Sequence, residues 1–349
     1  MHMKPAKSGK LVYVAMSGGV DSAVAAHLLF RSGYRVVGVF MKPWQPKGLR
    51  CLCEQDRADA LRVAAHLGIS FKTWDFSKEY GAGVAQPMIE AYRTGTTPNP
   101  DVECNRQIKF GLFLDRALSE GADFIATGHY AQIAKSKTGY ALTTSADTEK
   151  DQTYFLWGIQ AQQLQHILFP IGHLTKPEVR IIARRARLAV AQKKDSQGVC
   201  FVGQLDVKEF LKRSIASRQG NILGTDGKHI GTHDGAAYYT IGQRHGLNIR
   251  DGAGPYFVVS KNIQRNTVVV GSEADLMKRT ARISHVHWLI PRPALPLRVR
   301  AKIRYRTTAV PATLSGRTLT FSKAVRAIAP GQSVVLYRRN RVIGGATLA

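Results

Sequence analysis

The stretch SGGVDS, residues 17–22, places two glycines beside the side chains of Ser17, Asp21 and Ser22. It follows an apolar run, residues 11–16, that is typical of a buried strand, and it precedes an Ala- and Leu-rich segment typical of a helix. A strand, a glycine turn and a helix in this order direct free backbone N–H groups and the positive end of the helix dipole at an anion. The spacing matches neither the Walker loop, which needs a lysine, nor the dinucleotide fingerprint. An ordinary turn would leave the hydroxyls and the carboxylate unexplained, so the stretch predicts a site for phosphate and Mg²⁺.

Two of the chain's four cysteines lie in polar loops that favour a reactive thiol. Cys104 precedes Asn105, which we predict to be the N-cap of a helix, and a helix N-terminus favours the thiolate form. Cys200 follows two lysines in KKDSQGVCFVG. A small buried hydrophobic residue is the alternative interpretation for each cysteine. Four cysteines in 349 residues do not make a disulfide scaffold and fit a reducing compartment.

Cys51 and Cys53 in RCLCEQ could form half of a metal site. No second CxxC and no histidine pair at ligand spacing accompanies them, so a zinc site is disfavoured and we assign these two cysteines no role. A Ser-His-Asp triad also has no local support, because the sequence contains no G-x-S-x-G.

The charge balance is strongly positive. The chain has 50 Lys and Arg against 24 Asp and Glu, a formal net charge of +26. Such an excess favours a polyanionic partner, with nucleic acid first and an anionic membrane surface second. No apolar run approaches the roughly 20 residues that a membrane-spanning helix needs. We expect nucleic acid, and no membrane, as the partner. The hydrophobic content of 44% is typical of a globular protein, and the length predicts two or three domains.

Alternating strand and helix patterns fill the first part of the chain. The predicted strands are residues 11–16, 35–41, 71–76 and 123–127, and the predicted helices are residues 20–30, 54–67, 77–93 and 106–120. Repeated β-α units predict a doubly wound, mostly parallel sheet with its ligand at the carboxyl ends of the strands. The glycine turn, Met41, the Pro-rich loop before Cys104 and Gly128 should therefore meet at one edge.

The pattern changes after residue 205, where short strands separated by glycines begin. We predict three domains: residues 1–205, 206–280 and 281–349. The third contains 13 Lys and Arg and no Asp or Glu. Residues 297–306, LRVRAKIRYR, alternate strictly and predict a half-buried strand. Its outer face would carry Arg298, Arg300, Lys302, Arg304 and Arg306. Because like charges repel one another unless a polyanion covers them, an RNA or DNA surface is favoured over a merely solvated face.

Longer motifs carry a family resemblance. SGGVDS resembles the pyrophosphatase loop of ATP-dependent synthetases that release AMP and pyrophosphate, such as the argininosuccinate, asparagine and GMP synthetases. The segments TPNPDVECNRQIKFG, ATGHYA, KDQTYFLWG, DSQGVCFVG, YYTIGQRHGL and RAIAPGQSVVLY, in that order, resemble the bacterial tRNA-specific 2-thiouridylases over nearly the whole chain. The resemblance implies an α/β domain of the adenine nucleotide alpha hydrolase type, followed by two smaller, mainly β domains, the last a β-barrel.

The resemblance also implies the activity, ATP-dependent 2-thiolation of the wobble uridine of tRNA. ATP with Mg²⁺ would adenylate the C2 oxygen of the uridine. Cys200 would carry sulfur as a persulfide, and Cys104 would be the nucleophile that releases it, leaving a transient disulfide. Asp101 would be a candidate acid/base beside the flipped-out base.

Further site residues follow from the same resemblance. Those implied to bind ATP are Ala15, Met16, Ser17, Gly18, Gly19, Val20, Asp21, Ser22, Met41 and Gly128. Those implied to bind tRNA are Asn99, Pro100, Asp101, His129, Lys150, Asp151, Gln152, Arg304, Tyr305 and Gln332. The family resemblance further implies a cytoplasmic monomer that acts on tRNAs of the Lys, Glu and Gln type. A sulfur-carrier protein or a cysteine desulfurase would be the sulfur donor. It implies no metal ligand. Some related thiolases carry an iron–sulfur cluster, and the sequence alone does not exclude one here.

Two alternatives remain at the level of sequence. An amide-forming synthetase with the same loop would need neither reactive cysteines nor a cationic third domain. A non-catalytic RNA-binding protein would explain the basic domain but would leave SGGVDS and the paired cysteines without a role.

Overall fold

A computed structural model describes residues 9–45, 53–136, 139–194, 207–249 and 254–349. Cys51 and the predicted persulfide residue Cys200 lie outside these ranges. Within them, no helix combines the length and the apolar character that a membrane crossing requires.

The strands and helices follow one another in the order expected for an α/β domain and two β domains. In chain order the strands are β1 (Leu11–Ala15), β2 (Arg35–Lys42), β3 (Ser70–Asp75), β4 (Phe124–Ala126), β5 (Gln132–Ser136), β6 (Gly139–Thr143), β7 (Ile167–Leu168), β8 (Gly220–Gly224), β9 (His229–His233), β10 (Phe257–Asn262), β11 (Thr267–Gly271), β12 (Met277–Trp288), β13 (Leu297–Lys302), β14 (Val310–Ser315), β15 (Thr318–Arg326), β16 (Ser333–Arg338) and β17 (Arg341–Leu348). The α-helices are α1 (Val20–Arg31), α2 (Cys53–Leu67), α3 (Ser77–Tyr80), α4 (Gln86–Arg93), α5 (Pro100–Glu103), α6 (Phe113–Ser119), α7 (Lys176–Arg185) and α8 (Val207–Ser214).

The first sheet is parallel and has the order β3-β2-β1-β4-β7. Successive residues of β1 face opposite layers, as the period of a strand requires. Val12 and Val14 pack with α1, α2 and α7, whereas Tyr13 and Ala15 pack with the helices between β3 and β4. Helices therefore cover both faces, which confirms the predicted doubly wound sheet.

The two long helices between β3 and β4 each contain a π-helical segment. The segment Gly81–Ala85 separates α3 from α4, and Cys104–Leu112 separates α5 from α6. The helix that carries Cys104 therefore begins at Pro100, earlier than predicted, because proline is favoured at the first position of a helix. The predicted N-cap role of Asn105 is wrong, since Asn105 lies inside this helical stretch, whose N-cap position is Asn99. The Nδ2 of Asn105 instead donates to the carbonyl of Phe155 at 3.0 Å.

The remaining strands form a smaller sheet and a closed barrel. The smaller sheet has the order β10-β11-β8-β9. The barrel has the order β12-β15-β14-β13-β16-β17 and is closed by pairing of β12 with β17, which confirms the predicted β-barrel. The hairpin β5–β6 from the first part of the chain joins the barrel sheet where Thr143 pairs with Arg341.

The predicted strand over residues 297–306 is shorter than expected. β13 ends at Lys302, and the chain then turns. Lys302 is only 9% exposed, and its Nζ lies 3.7 Å from a carboxylate oxygen of Asp151. The prediction of five cations on one exposed strand face is therefore wrong, and Arg298 and Arg300 are the two that β13 exposes.

Candidate active site

The phosphate loop, residues 17–22, connects β1 to α1 and is shaped by its own hydroxyls. Oγ of Ser22 accepts the N–H of Ser17 at 3.1 Å and donates to the carbonyl of Gly19 at 3.1 Å. Oγ of Ser17 accepts the N–H of Gly19 at 3.4 Å. Because Gly19 caps α1 without a side chain, the first N–H groups of the helix remain available to an anion.

Two glycines let neighbouring elements approach this loop. Gly18 has φ +73°, and a Cβ there would lie 2.2 Å from the carbonyl oxygen of Asp56 in α2. A Cβ on Gly128, just after β4, would lie 2.6 Å from the backbone nitrogen of Ser22. The structure thus brings Gly128 against the phosphate loop at the carboxyl edge of the sheet. Met41 lies near the end of β2, the neighbour of β1 in the same sheet.

Lys176 supplies a cation to the loop. Its Nζ lies 2.8 and 2.9 Å from the two carboxylate oxygens of Asp21, and the hydroxyl of Tyr130 donates to one of them at 2.9 Å. The Lys176 side chain is 12% exposed. Sequence reasoning missed it, although the capping box of Thr175 and Glu178 marks the start of α7.

Lys193 contacts the other side of the loop. Its Nζ donates to the carbonyl of Gly18 at 3.0 Å, to Asp56 at 2.7 Å and to Asp59 at 2.6 Å. In sequence Lys193 is recognisable only as one of the two lysines before Cys200, because no local pattern connects residue 193 with residue 18.

A cavity of about 320 Å³ lies where all three predicted domains meet. Five residues implied to bind tRNA line it, namely Asn99, Pro100, Arg304, Tyr305 and Gln332. Tyr154, Phe155 and Val207 also line it, and the rings of Phe155 and Tyr305 lie 4.6 Å apart between centroids. The cavity therefore combines aromatic walls with one guanidinium group, a combination suited to a base and a nearby phosphate.

The barrel docks onto the Pro-rich loop at one rim of this cavity. Nε2 of Gln332 donates to the carbonyls of Thr97 and Pro98 at 3.0 and 3.1 Å, and the N–H of Thr97 donates to the carbonyl of Pro330 at 2.8 Å. Gly331 has φ +91°, and a Cβ there would lie 2.9 Å from the backbone of Thr97. Gln332 thus positions the loop that contains Asn99.

The segment Lys150 to Gln152 makes contacts within the protein. Asp151 is 5% exposed and accepts the N–H of Ser145 at 3.1 Å and the hydroxyl of Thr153 at 2.8 Å. Oε1 of Gln152 accepts the N–H of Tyr130 at 2.9 Å. The predicted tRNA contacts of this segment stay predictions, and the buried Asp151 also connects the first domain with the barrel through Lys302.

His129 is enclosed by aromatic rings. Its centroid lies 5.8 Å from that of Phe110 and 6.1 Å from that of Phe169, and its Nδ1 lies 2.7 Å from the hydroxyl of Thr127. Burial and the positive charge of Lys109 hold the pKa of His129 well below its usual value. Its imidazole is therefore neutral at pH 7, so a contact with tRNA would be a hydrogen bond or a stacking contact rather than an ion pair.

Cys104 is 4% exposed and lies one turn after Asp101 on the same helical face. Asn99 and Pro100, at the start of this helix, line the cavity. Cys200 lies outside the described residues, so its predicted pairing with Cys104 stays a prediction.

The described ranges contain no group of three or more His, Cys, Asp or Glu that could hold a metal ion. Mg²⁺ is usually bound through one or two carboxylates together with phosphates of the substrate. Asp21, which lies in the phosphate loop and in the first turn of α1, fits that requirement.

Sequence comparison identifies the chain's relatives. Residues 10–204 match a family described as tRNA methyl transferase HUP domain, residues 208–272 its PRC-barrel domain, and residues 278–348 an aminomethyltransferase beta-barrel domain. The tRNA-specific 2-thiouridylase MnmA of Halalkalibacterium halodurans is 44% identical over 348 residues, covering 97% of this chain and 94% of that protein. The chain belongs to the tRNA-specific 2-thiouridylase family. The enzyme of the same name from Vesicomyosocius okutanii is 43% identical and covers 99% of both chains.

Solved structures show a looser similarity. The U34-tRNA thiolase NcsA from Methanococcus maripaludis has a TM-score of 0.40 and 18% identity, covering 56% of this chain and 63% of that one. Membership in the 2-thiouridylase family rests instead on the sequence relatives, and it disfavours both the amide-forming synthetase and the non-catalytic RNA-binding protein. The family description names methyl transfer, which requires no phosphate site. Activation of a carbonyl by ATP does require one, so the glycine turn at residues 17–22 accords with thiolation.

Proposed function

We propose that this 2-thiouridylase converts the wobble uridine of tRNA to 2-thiouridine, with ATP as the activating substrate and a cysteine persulfide as the sulfur source. The observation that carries the proposal is the placement of one helix. It begins at Pro100, in the wall of the cavity, and contains the buried Cys104 one turn further on. A base in that cavity would therefore lie at the start of the helix that carries this thiol.

Activation of the base takes place at the phosphate loop. The N–H groups at the start of α1 would bind the phosphates of ATP, and Ser17 and Ser22 hold the loop in the required shape. Asp21 would hold Mg²⁺, which neutralises phosphate charge when bound. The C2 oxygen of the uridine attacks the α-phosphate and pyrophosphate leaves, so that this oxygen becomes part of a good leaving group, AMP.

Sulfur transfer follows at the two cysteines. The terminal sulfur of the Cys200 persulfide attacks C2, and AMP leaves with the former C2 oxygen. The Cys104 thiolate then attacks the inner sulfur of Cys200, which breaks the S–S bond and leaves the outer sulfur on C2. The resulting Cys104–Cys200 disulfide must be reduced by a thiol before the next turnover, and a sulfur-carrier protein or a cysteine desulfurase reloads Cys200.

The base would be held in the cavity. A uridine must leave its stack to expose C2, and aromatic side chains such as Tyr305 suit an extruded base. Asn99 and Pro100 line the position where the base would lie, and Asp101 is the candidate acid/base. We further propose that the enzyme is a cytoplasmic monomer, that tRNAs of the Lys, Glu and Gln type are its substrates, and that Lys150 and Arg304 contact their backbones.

The test is nucleoside mass spectrometry of tRNA after incubation with ATP, a persulfide donor and the enzyme. We expect 2-thiouridine with the wild type, none with Cys200→Ser, and persulfide on Cys200 without turnover in Cys104→Ser. Cys51→Ser is the control for replacement of a cysteine to which we assign no role, and it should retain activity. If both Cys200→Ser and Cys104→Ser still produce 2-thiouridine, the relay is excluded.

A further inference from the structure

We propose that Lys193 is a positioning residue for the phosphate loop, which it holds against α2 in the geometry that ATP requires. The inference deepens the proposed function and rests on it, because it assumes that the loop at residues 17–22 binds ATP. It concerns a residue 175 positions away along the chain from the glycine that it contacts.

First, all three N–H donors of the Lys193 ammonium group have acceptors in the structure. A lysine ammonium has three N–H donors, and the structure provides three acceptors. They are the carbonyl oxygen of Gly18 at 3.0 Å, Asp56 at 2.7 Å and Asp59 at 2.6 Å. Lys193 therefore has no donor left for a phosphate while this network is intact, which is why we assign it a positioning role rather than direct contact with the nucleotide.

The second step is the stability of the network at neutral pH. The Lys193 side chain is 30% exposed and that of Asp59 is 11% exposed, so the pair is partly shielded from water. Burial opposes the charged form of each, but their mutual hydrogen bonds prevail, raising the pKa of Lys193 and lowering the pKa of Asp59. Arg62 and Gln55 also donate to Asp59, at 2.6 and 2.9 Å.

The third step is the tight contact between Gly18 and α2. Gly18 adopts a left-handed conformation, and the carbonyl oxygen of Asp56 occupies the space where a Cβ would lie. Backbone contacts this close hold only while both segments stay in place. Lys193 joins them, since it binds the carbonyl of Gly18 and the carboxylate of Asp56 with the same ammonium group.

The fourth step is the anchoring of Lys193 itself. Nη1 of Arg180 in α7 donates to the carbonyls of Ala191 and Lys193 at 2.9 and 2.6 Å. The same helix begins with Lys176, which pairs with Asp21. α7 therefore reaches the phosphate loop at two points, directly through Lys176 and indirectly through Arg180 and Lys193.

The test compares Lys193→Met with Lys194→Met, its exposed neighbour. Binding of a non-hydrolysable ATP analogue is measured by calorimetry, and pyrophosphate release gives KM and kcat. For Lys193→Met we expect KM for ATP to rise about tenfold, the loss typical of hydrogen bonds to a charged group, with kcat changed much less. Lys194→Met should match the wild type, and Lys193→Arg should recover part of the affinity.

A second variant separates positioning from direct phosphate contact. Asp59→Asn should raise KM in the same direction, and the double variant Lys193→Met with Asp59→Asn should be no worse than Lys193→Met alone, because both act through one network. If Asp59→Asn instead tightens ATP binding, Lys193 contacts phosphate and the positioning role is excluded. An unchanged KM in Lys193→Met would also overturn the inference. Failure of the wild type to bind the analogue would refute the proposed function itself.

Discussion

The phosphate loop and the cavity are built in opposite ways. The loop takes the groups that we propose to face phosphate from residues 17–22, within one domain. The cavity takes its walls from positions as far apart as Met88 and Gln332, with Val207 of the central domain between them in sequence. Local construction makes the loop independent of domain docking, whereas the cavity exists only while the three domains are in contact. Nucleotide use and base recognition should therefore be separable by mutation.

The two regions also differ in how their charges are satisfied. The cations at the loop are paired, Lys176 with Asp21 and Lys193 with two carboxylates. Arg304 at the cavity has no ion pair with any residue in the described ranges. Burial and the like charge of Arg326 lower the pKa of Arg304. A guanidinium group in this setting is suited to an incoming phosphate, since residues 281–349 contain no Asp or Glu.

The largest expected effect is loss of the loop's carboxylate. Asp21→Ala should abolish pyrophosphate release, because it removes the carboxylate proposed for Mg²⁺ together with its ion pair to Lys176. Binding of tRNA should change little, since the cavity and the barrel are untouched. Filter binding and a pyrophosphate assay check the two results, with the exposed Asp115→Ala as control. Normal pyrophosphate release in Asp21→Ala would exclude residues 17–22 as the site that binds the phosphates of ATP.

The next effect should come from the docked barrel loop. Gly331→Ala would force a left-handed alanine and place its Cβ 2.9 Å from the backbone of Thr97. Gly316→Ala is a matched control, because Gly316 also has positive φ, +59°, but has open space around its Cβ position. We expect kcat/KM for tRNA to fall about tenfold more in Gly331→Ala than in Gly316→Ala, for a loss of roughly 1–2 kcal/mol of docking. Affinity for ATP should be equal in both.

Equal losses in the two glycine variants would mean that only backbone strain matters and that docking does not shape the cavity. A parallel loss of ATP affinity in Gly331→Ala would show that the phosphate loop and the cavity are coupled and not independent.

A smaller effect is expected from Arg304. Arg304→Ala should weaken tRNA binding and reduce the slope of log K against log salt by up to about one unit, as loss of one phosphate contact does. Arg298→Ala, on the exposed face of β13, tests whether the RNA also covers the barrel strand. An unchanged slope for Arg304→Ala would leave the cavity without its proposed phosphate contact.

The sequence predicted the features that depend on neighbouring residues. The strand, glycine turn and helix around residues 17–22 follow from apolar runs and turn residues within one short segment, and the four predicted strands of the sheet match β1 to β4 within about two residues at each end. The change of pattern after residue 205 and the one-sided charge of residues 281–349 supplied the three predicted domains. Motif resemblance supplied the barrel, which hydrophobic periodicity alone did not give.

The sequence could not predict contacts between distant segments. Strict alternation suggested a long cationic strand, but the buried Asp151 turns Lys302 inward and β13 ends there. Lys176 and Lys193 were missed for the same reason, because their partners are 155 and 134 to 175 positions away. The helix start at Pro100 could have been predicted from the sequence, since proline is favoured at the first position of a helix and is a local signal.

The last prediction concerns Lys261, a partly buried lysine behind the cavity wall. Lys261 lies over the ring of Tyr92, which lines the cavity, with its Nζ 5.9 Å from the ring centroid, and it donates to the carbonyl of Tyr239 at 2.6 Å. Burial lowers the pKa of Lys261 from 10.5 to about 8. Between pH 8 and 10.5 the unfolded chain therefore binds more protons at this residue than the folded chain does, so the contribution of Lys261 to stability rises with pH.

Thermal unfolding measured from pH 7 to 9.5 tests this titration. At pH 7, Lys261→Met should be more stable than the wild type, and this advantage should disappear as the pH rises. The exposed Lys323→Met should show no such trend. If the difference in stability between Lys261→Met and the wild type stays constant with pH, Lys261 stays charged throughout this range. Placing its charge behind the cavity wall would then cost no stability, and the lysines paired with carboxylates at the phosphate loop would have no advantage over it.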